Sequence, residues 1–292
     1  MKSAPFEYVR AKSVAEACEL LAASGVETKL IAGGQSLVPM MAMRLTRPAR
    51  LVDINEIAAL KFVALEAAIV RIGACTRQCV IARDDALAAR VPLLQQALAW
   101  VGHVQTRNRG TIGGSLVHAD PAAELPLTAQ VLGAQMVLRS AAGSRSIAAA
   151  EFFSGPLMTA TGPTECLEEI RWPVWAERRA GSAFTEVSRR HGDFAIIAAA
   201  AQIALDDGGK CTRASFGLGG GGSTPLAFPK LAARLIGTRL DAEAVQSVAH
   251  DAAAELDPGG DLHASAGYRK HLAAVLAARV LRSAYEQAGS KS

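Results

Sequence analysis

The sequence predicts an α+β chain in two parts, divided near residue 177. Three observations carry that prediction. The first 55 residues alternate strand and helix signals, "VWAERRAGS" (174–182) is polar and rich in small residues, and the remainder changes style, with strand-like runs followed by two or three helices. A chain of 292 residues has room for two domains and for a sizeable core without metal or disulfide staples.

The elements can be justified in order. "FEYVR" (6–10) alternates in character and reads as a strand. "SVAEACELLAASG" (13–25) opens on Ser13 with Glu16 three residues on and closes at Gly25, a capping box and a C-terminal glycine on one helix. "TKLIA" (28–32) and "RLVDI" (50–54) are short strands, so the first 55 residues form a β-α-β-type unit. "LKFVALEAAIVRIGA" (60–74) reads as two strands joined at Glu66–Ala68, and "LAARVPLLQQALAWVG" (87–102) as helix begun again near Pro92. "AAELPLTAQVLGAQ" (122–135) is helical, "QMVLRS" and "SRSIAA" make a hairpin, and "ECLEEIRWP" (165–173) is a strand ending at Pro173. Beyond the boundary, "SAFTEVSRR", "FAIIAAAAQIALDD" and "KCTRASFGLGG" read as successive strands, although the alanine-rich middle run fits a helix on propensity alone. "DAEAVQSVAHDAAAEL" and "YRKHLAAVLAARVLRSAYEQA" are the closing helices.

The charge is mild, 31 Lys and Arg against 27 Asp and Glu, and the two signs are interleaved. No basic stripe of the kind that reads nucleic acid is present in the sequence. Five scattered cysteines, an odd number, argue against a disulfide framework and for a reducing compartment. Cys75 and Cys79 are spaced for one helical face, and the reading given to all five is small buried apolar side chains. The histidines are dispersed and no HExxH occurs, so no metal held by this chain is expected. Acidic residues interrupt the N-terminal segment where a signal peptide needs an apolar run. No run approaches the roughly 20 residues of a membrane span. A cytoplasmic location follows as an expectation.

Two glycine stretches carry the functional signal: "KLIAGGQSLVPMM" (29–41) and "RGTIGGSLVHADPAAELP" (109–126). Glycine admits positive φ and close backbone approach, and successive amides in such a turn form an anion nest. A helix N-terminus beside it adds about 0.5–2 kcal/mol toward a bound phosphate. Neither stretch has the G-x-G-x-x-G or G-K-[ST] spacing of the common nucleotide loops. Each alone also fits an ordinary turn; together, with hydroxyls at Ser36, Thr111 and Ser115, they fit one pyrophosphate held between them.

These two stretches resemble the flavin-binding signatures of the medium subunit of molybdenum hydroxylases, the carbon monoxide dehydrogenase and xanthine dehydrogenase relatives. The likeness continues, in order, through "PFEYVRAKSVAEACELLA", "AFTEVSRRHGDFAIIAAAAQIAL", "GGGGSTPLAFP" and "HASAGYRKHLAAVLAARVL", covering almost the whole chain. It implies a two-part PCMH-type FAD-binding domain over 1–176, with subdomains of about 1–57 and 58–176. A smaller domain of antiparallel sheet and helices follows over 177–292.

The resemblance also implies the site. Lys29, Leu30, Ile31, Ala32, Gly33, Gly34, Gln35, Ser36 and Leu37 would wrap the pyrophosphate of noncovalent FAD, and Thr111, Ile112, Gly113, Gly114 and Ser115 would meet it from the other side. Val101 would lie near the adenine or ribose, and Glu124 would contact the flavin chain. Leu167 would fall on a covering strand, with Asp193 and Phe194 near the isoalloxazine. His103 and His118 are read as packing or hydrogen-bonding residues, and Arg107, Arg109, Arg189 and Arg190 as a solvated rim. The three methionines of "LVPMMAMRL" are read as core, and Gly219–Gly222 as a mobile turn or subunit contact.

The implied partners are an iron–sulfur small subunit and a large subunit with molybdopterin, in a dimer of heterotrimers. The implied task is to pass electrons from the iron–sulfur clusters to an external acceptor: NAD, a quinone or cytochrome, or oxygen. The alternative is a free-standing FAD-dependent oxidase of the same fold.

Overall fold

A computed structural model describes residues 2–23 and 25–291. The first lobe runs β1 (Glu7–Arg10), α1 (Val14–Ala22), β2 (Thr28–Ile31), α2 (Leu37–Ala42) and β3 (Arg50–Asp53). Its three strands are parallel in the order β1-β3-β2, which brings the end of β2 beside the end of β3. The Ser13 side chain accepts from the Glu16 amide at 3.1 Å. The reciprocal bond shifts by one residue, because Glu16 accepts from the Lys12 amide at 2.7 Å.

The second lobe holds β4 (Val63–Leu65), β5 (Ile69–Gly73), six short helices α3 (Gln78–Ile81), α4 (Asp85–Arg90), α5 (Pro92–Leu98), α6 (Val104–Arg109), α7 (Ile112–His118) and α8 (Glu124–Leu132), then β6 (Gln135–Ser140) and β7 (Gly143–Ala148). It continues through α9 (Ala149–Phe152), the small hairpin β8 (Phe153–Gly155) and β9 (Met158–Thr159), and β10 (Cys166–Pro173). The main sheet is antiparallel in the order β4-β5-β10-β6-β7. Buried Glu169 in its central strand is held by Arg71 at 2.6 Å and Arg171 at 2.7 Å. Pro92 begins α5 afresh, as a proline tolerated in the first turn does.

The C-terminal part is an antiparallel sheet of β11 (Ala180–Val187), β12 (Ile197–Leu205), β13 (Cys211–Gly219) and β14 (Leu226–Ala227), followed by α10 (Pro229–Ala233), α11 (Ala242–Glu255) and α12 (Ala266–Gly289). The alanine-rich run is strand, not helix, and every residue of it is buried. Alternation explains why. Ala198 and Ala200 join the core of the second lobe, while Ile197, Ala199, Ala201 and Ile203 join the core formed with α11 and α12. A strand covered on both faces by helices at close range has room for little beyond small side chains. Gly217 on β13 makes the same point, since a Cβ there would meet Val131 of α8 at 2.8 Å. The fold is therefore α+β, with two N-terminal lobes and a C-terminal sheet-and-helix part, as the sequence predicts. No helix among the described residues is long and apolar enough to cross a membrane.

Four local expectations change. The second glycine stretch is mostly helix, α7, preceded by a further short helix, α6. Of the three methionines only Met41 is buried; Met43 is 52% exposed. Cys75 lies in the turn before α3, so it shares no helical face with Cys79. The turn at Gly219–Gly222 is tied down: the Gly220 amide donates to the Pro121 carbonyl at 2.9 Å, and buried Arg269 of α12 donates to the Gly220 carbonyl at 3.2 Å.

Candidate functional site

The site is built where β2 ends. After Ile31 the chain turns through Ala32 to Ser36 and enters α2, with Gly34 at φ +71, a conformation glycine adopts without a Cβ penalty. Among the described residues, the amides of Gly33, Gly34, Gln35 and Ser36 donate to no protein acceptor. Four adjacent free donors in one tight turn are the arrangement that holds a pyrophosphate, so the residues fit the diphosphate of a dinucleotide.

The second stretch is pressed against this turn. A Cβ on Gly33 would overlap the Arg109 carbonyl oxygen and lie 2.8 Å from Gly110 Cα. One on Gly114 would lie 4.0 Å from Ala32 Cβ. The second stretch is itself fixed by the segment after β5. Ile112 donates to the Thr76 carbonyl at 3.1 Å, Gly113 to Ala74 at 2.9 Å, and Gln78 to Gly110 at 3.0 Å. Thr111 caps α7 by accepting from the Gly114 amide at 3.1 Å. The amides of Ile112, Gly113 and Gly114 are thus committed within the protein, and the first turn holds the free donors. Exposed Gly114 and half-buried Ser115 are the open positions of the second stretch.

The remaining expected residues divide. Lys29, Leu30 and Ile31 form β2, and Leu37 starts α2. The "RRHGDFA" turn reaches the neighbourhood through Gly192, whose Cβ would meet the His103 ring at 2.8 Å, and through His191, whose ring lies 5.8 Å from that of Trp100. On that turn Asp193 pairs with Arg190 at 3.1 Å, and Phe194 is 64% exposed. Val101 and Leu167 are core residues of the second lobe. Arg107 is no free rim residue: it donates to the Val101 carbonyl at 2.8 Å and the Gly102 carbonyl at 3.0 Å, fixing the turn into α6. Burial lowers the His118 pKa and favours the neutral ring.

Electrostatics concentrate beside α8. Glu124, its first residue, is buried, and burial raises its pKa to about 7, with the Asp120 charge adding to the shift and the Arg107 charge opposing it. Glu186 on β11 is also buried, with no hydrogen bond to either carboxylate oxygen; burial, then the Glu124 charge, raises its pKa to about 8. Sequence reading missed Glu186, and it missed Asn55 and Arg77. The amide of Asn55 donates to the Ala32 carbonyl at 2.6 Å and its oxygen accepts from Arg77 at 2.7 Å. Only the position of Asn55, directly after the strand "RLVDI", hints at this role.

The FAD-binding domain of molybdopterin dehydrogenases matches residues 4–175, and the carbon monoxide dehydrogenase flavoprotein C-terminal domain matches residues 182–284. This chain belongs to the FAD-binding flavoprotein family of the molybdopterin dehydrogenases. It is 41% identical to the 6-hydroxypseudooxynicotine dehydrogenase complex subunit alpha of Paenarthrobacter nicotinovorans, over 99% of this chain and 97% of that one. It is 37% identical to the carbon monoxide dehydrogenase medium chain of Afipia carboxidovorans, over 98% of each. Among solved structures it superposes on carbon monoxide dehydrogenase from Hydrogenophaga pseudoflava with a TM-score of 0.95 at 36% identity, covering 98% of this chain and 99% of that one. Quinoline 2-oxidoreductase from Pseudomonas putida 86 gives 0.93 at 35%, with 99% of each chain covered. As a member of this flavoprotein family, the chain is an FAD-binding subunit of a dehydrogenase of the molybdenum-containing type.

Proposed function

We propose that the chain carries noncovalent FAD between an iron–sulfur subunit and an external electron acceptor, within a molybdenum hydroxylase built as a dimer of heterotrimers. The observation that carries the reading is the row of free amides at Gly33–Ser36 lying against the Arg109–Ser115 segment. The family membership of the whole chain supports the partners: an iron–sulfur small subunit and a molybdopterin large subunit. The flavin domain is taken as 1–176 and the C-terminal domain as 177–292, and the location as cytoplasmic. The acceptor is NAD, oxygen, or a quinone or cytochrome.

When bound, FAD supplies the one- and two-electron redox chemistry. The chain's own residues bind and place it. Gly33, Gly34, Gln35 and Ser36 offer backbone donors to the diphosphate, and Ser115 and Gly114 face it from α7. Glu124 would lie along the flavin chain, and its burial at neutral pH keeps a large fraction of its carboxyl protonated and able to donate a hydrogen bond. Phe194 offers an exposed ring for stacking beside the isoalloxazine. No side chain is required to move a proton for electrons to pass.

The test is a visible spectrum of the purified full chain and of the complex, before and after acid. A flavin band released into the supernatant is expected, together with co-purification of iron–sulfur and molybdopterin subunits. Flavin retained by the denatured chain would move the free-standing oxidase ahead of this reading. A chain that takes up no FAD even with its partners overturns it.

A further inference from the structure

We propose that Asn55 and Arg77 are positioning residues that lock the two glycine segments at the spacing an FAD diphosphate needs, without touching the cofactor; the inference rests on the FAD reading above. The geometry is a chain of hydrogen bonds running beneath the site. Asn55 Nδ2 donates to the Ala32 carbonyl at 2.6 Å and reaches the Ile31 carbonyl at 3.5 Å, both at the entry to the first turn. Asn55 Oδ1 accepts from Arg77 Nη2 at 2.7 Å. Arg77 Nη1 donates to the Arg109 carbonyl, at the entry to the second segment. Arg77 sits where a single bridge pairs it with Thr111, so its backbone and side chain both brace that segment.

Asn55 is itself held. Its amide and its Nδ2 each lie 2.7 Å from Asp53 Oδ1, and Asp53 accepts from the Tyr8 hydroxyl on the neighbouring strand. The clamp is therefore anchored in the parallel sheet, through Tyr8 of β1 and Asp53 at the end of β3.

Planarity of the peptide explains the effect on the ligand. In a trans peptide the C=O and N–H point in opposite directions, so drawing the Ala32 carbonyl toward Asn55 aims the Gly33 N–H away from it. Gly33 N–H is one of the free donors in the turn. Arg77 is suited to the other end because a guanidinium fork reaches two acceptors at fixed angles, whereas a lysine offers a single point charge. Gly33 has to be glycine for the same closeness, because the clamp holds Arg109 where a Cβ would stand.

The experiment measures FAD dissociation constants by flavin fluorescence on the full chain, in its complex where isolation costs solubility, alongside the thermal midpoint of the apoprotein. Arg77→Gln, Arg77→Lys, Asn55→Ala and Asn55→Asp are compared. Loss of a charge-assisted hydrogen bond corresponds to roughly tenfold to hundredfold weaker binding, and that loss is expected for Arg77→Gln and Asn55→Ala. Asn55→Asp keeps the acceptor for Arg77 but loses the donor to Ala32, so it should bind as weakly as Asn55→Ala. Arg77→Lys, which cannot span both acceptors, should not rescue. Wild-type FAD affinity in Asn55→Asp, or in both Arg77→Gln and Asn55→Ala, overturns the clamp while leaving the flavin site standing. Weakening that only tracks loss of the apoprotein midpoint also overturns it, because the residues are then general supports. A wild-type chain that takes up no FAD removes the site reading and the clamp together.

Discussion

Glu186 of β11 is raised in pKa first by burial and then by the charge of Glu124 of α8, and neither Glu186 oxygen is hydrogen-bonded. Both acids are raised from an ordinary 4.5, to about 8 and about 7, chiefly by burial. The unfolded chain then releases these protons first, so stability falls as pH rises from about 4.5 to about 8. Asp53, Glu165 and Glu169 have lowered values, so their contribution is present above the ordinary carboxylate range and disappears as pH falls below it. The apoprotein should be most stable in mildly acidic buffer. Glu186→Gln should flatten the alkaline limb and raise stability at pH 8.5 by on the order of 2–4 kcal/mol. Thermal midpoints of the two proteins from pH 5 to 9 check this; parallel curves would sink it.

Gly33→Ala places a methyl against the backbone of Arg109 and Gly110, neither of which can rotate away as a side chain can. The two segments must separate, at a cost of about 1–3 kcal/mol of overpacking. The flavin-to-protein ratio of the purified variant, read from its absorbance spectrum, should drop well below that of the wild type.

Gly181→Ala tests a different approach. A Cβ there would overlap the Ala284 carbonyl and the Ala288 amide of α12, and would stand 3.0 Å from the Gln287 carbonyl carbon. The variant should lose about 2–3 kcal/mol by chemical denaturation. Earlier proteolysis of the displaced C-terminal helix is expected with it.

Arg269→Ala removes a buried guanidinium that bonds Ile196 at 2.6 Å, Gly220 at 3.2 Å and Asp261 at 2.7 Å. Two carbonyls are left without that donor, so a loss of about 2–4 kcal/mol is expected in urea unfolding. Lysine at 269 should restore only part of it, since one ammonium cannot serve three acceptors on separate segments.

Much of this architecture was legible because local chemistry announces it. Ser13 and Glu16 mark the start of α1, Pro92 marks the restart at α5, and Glu66–Ala68 separates β4 from β5, whereas α1 ends at Ala22, capped by Ala23 and not by Gly25. The four-residue helices α3 and α9 and the β8–β9 hairpin are too short for a periodic pattern to build up. The two glycine stretches stood out by composition, yet which amides remain free depends on the partners of Ile112 and Gly113 after β5, and that is tertiary. Asn55 and Arg77 are 22 positions apart and meet only through folding. Glu186 looked like an ordinary alternating strand residue; its burial comes from the lobe stacked on that face of β11.

Strand β12 has a mechanical consequence. Ala198 and Ala200 belong to one core and its odd-numbered residues to the other, so the two parts of the chain share a wall rather than meeting across a seam. A door needs a gap along its hinge line, and here the hinge line is filled by side chains too small to leave one. Rotation of the C-terminal part about residues 174–179 would tear both cores at once. Hydrogen exchange in the apoprotein should find the exposed Ser188–Phe194 turn fast and β12 among the last amides to open.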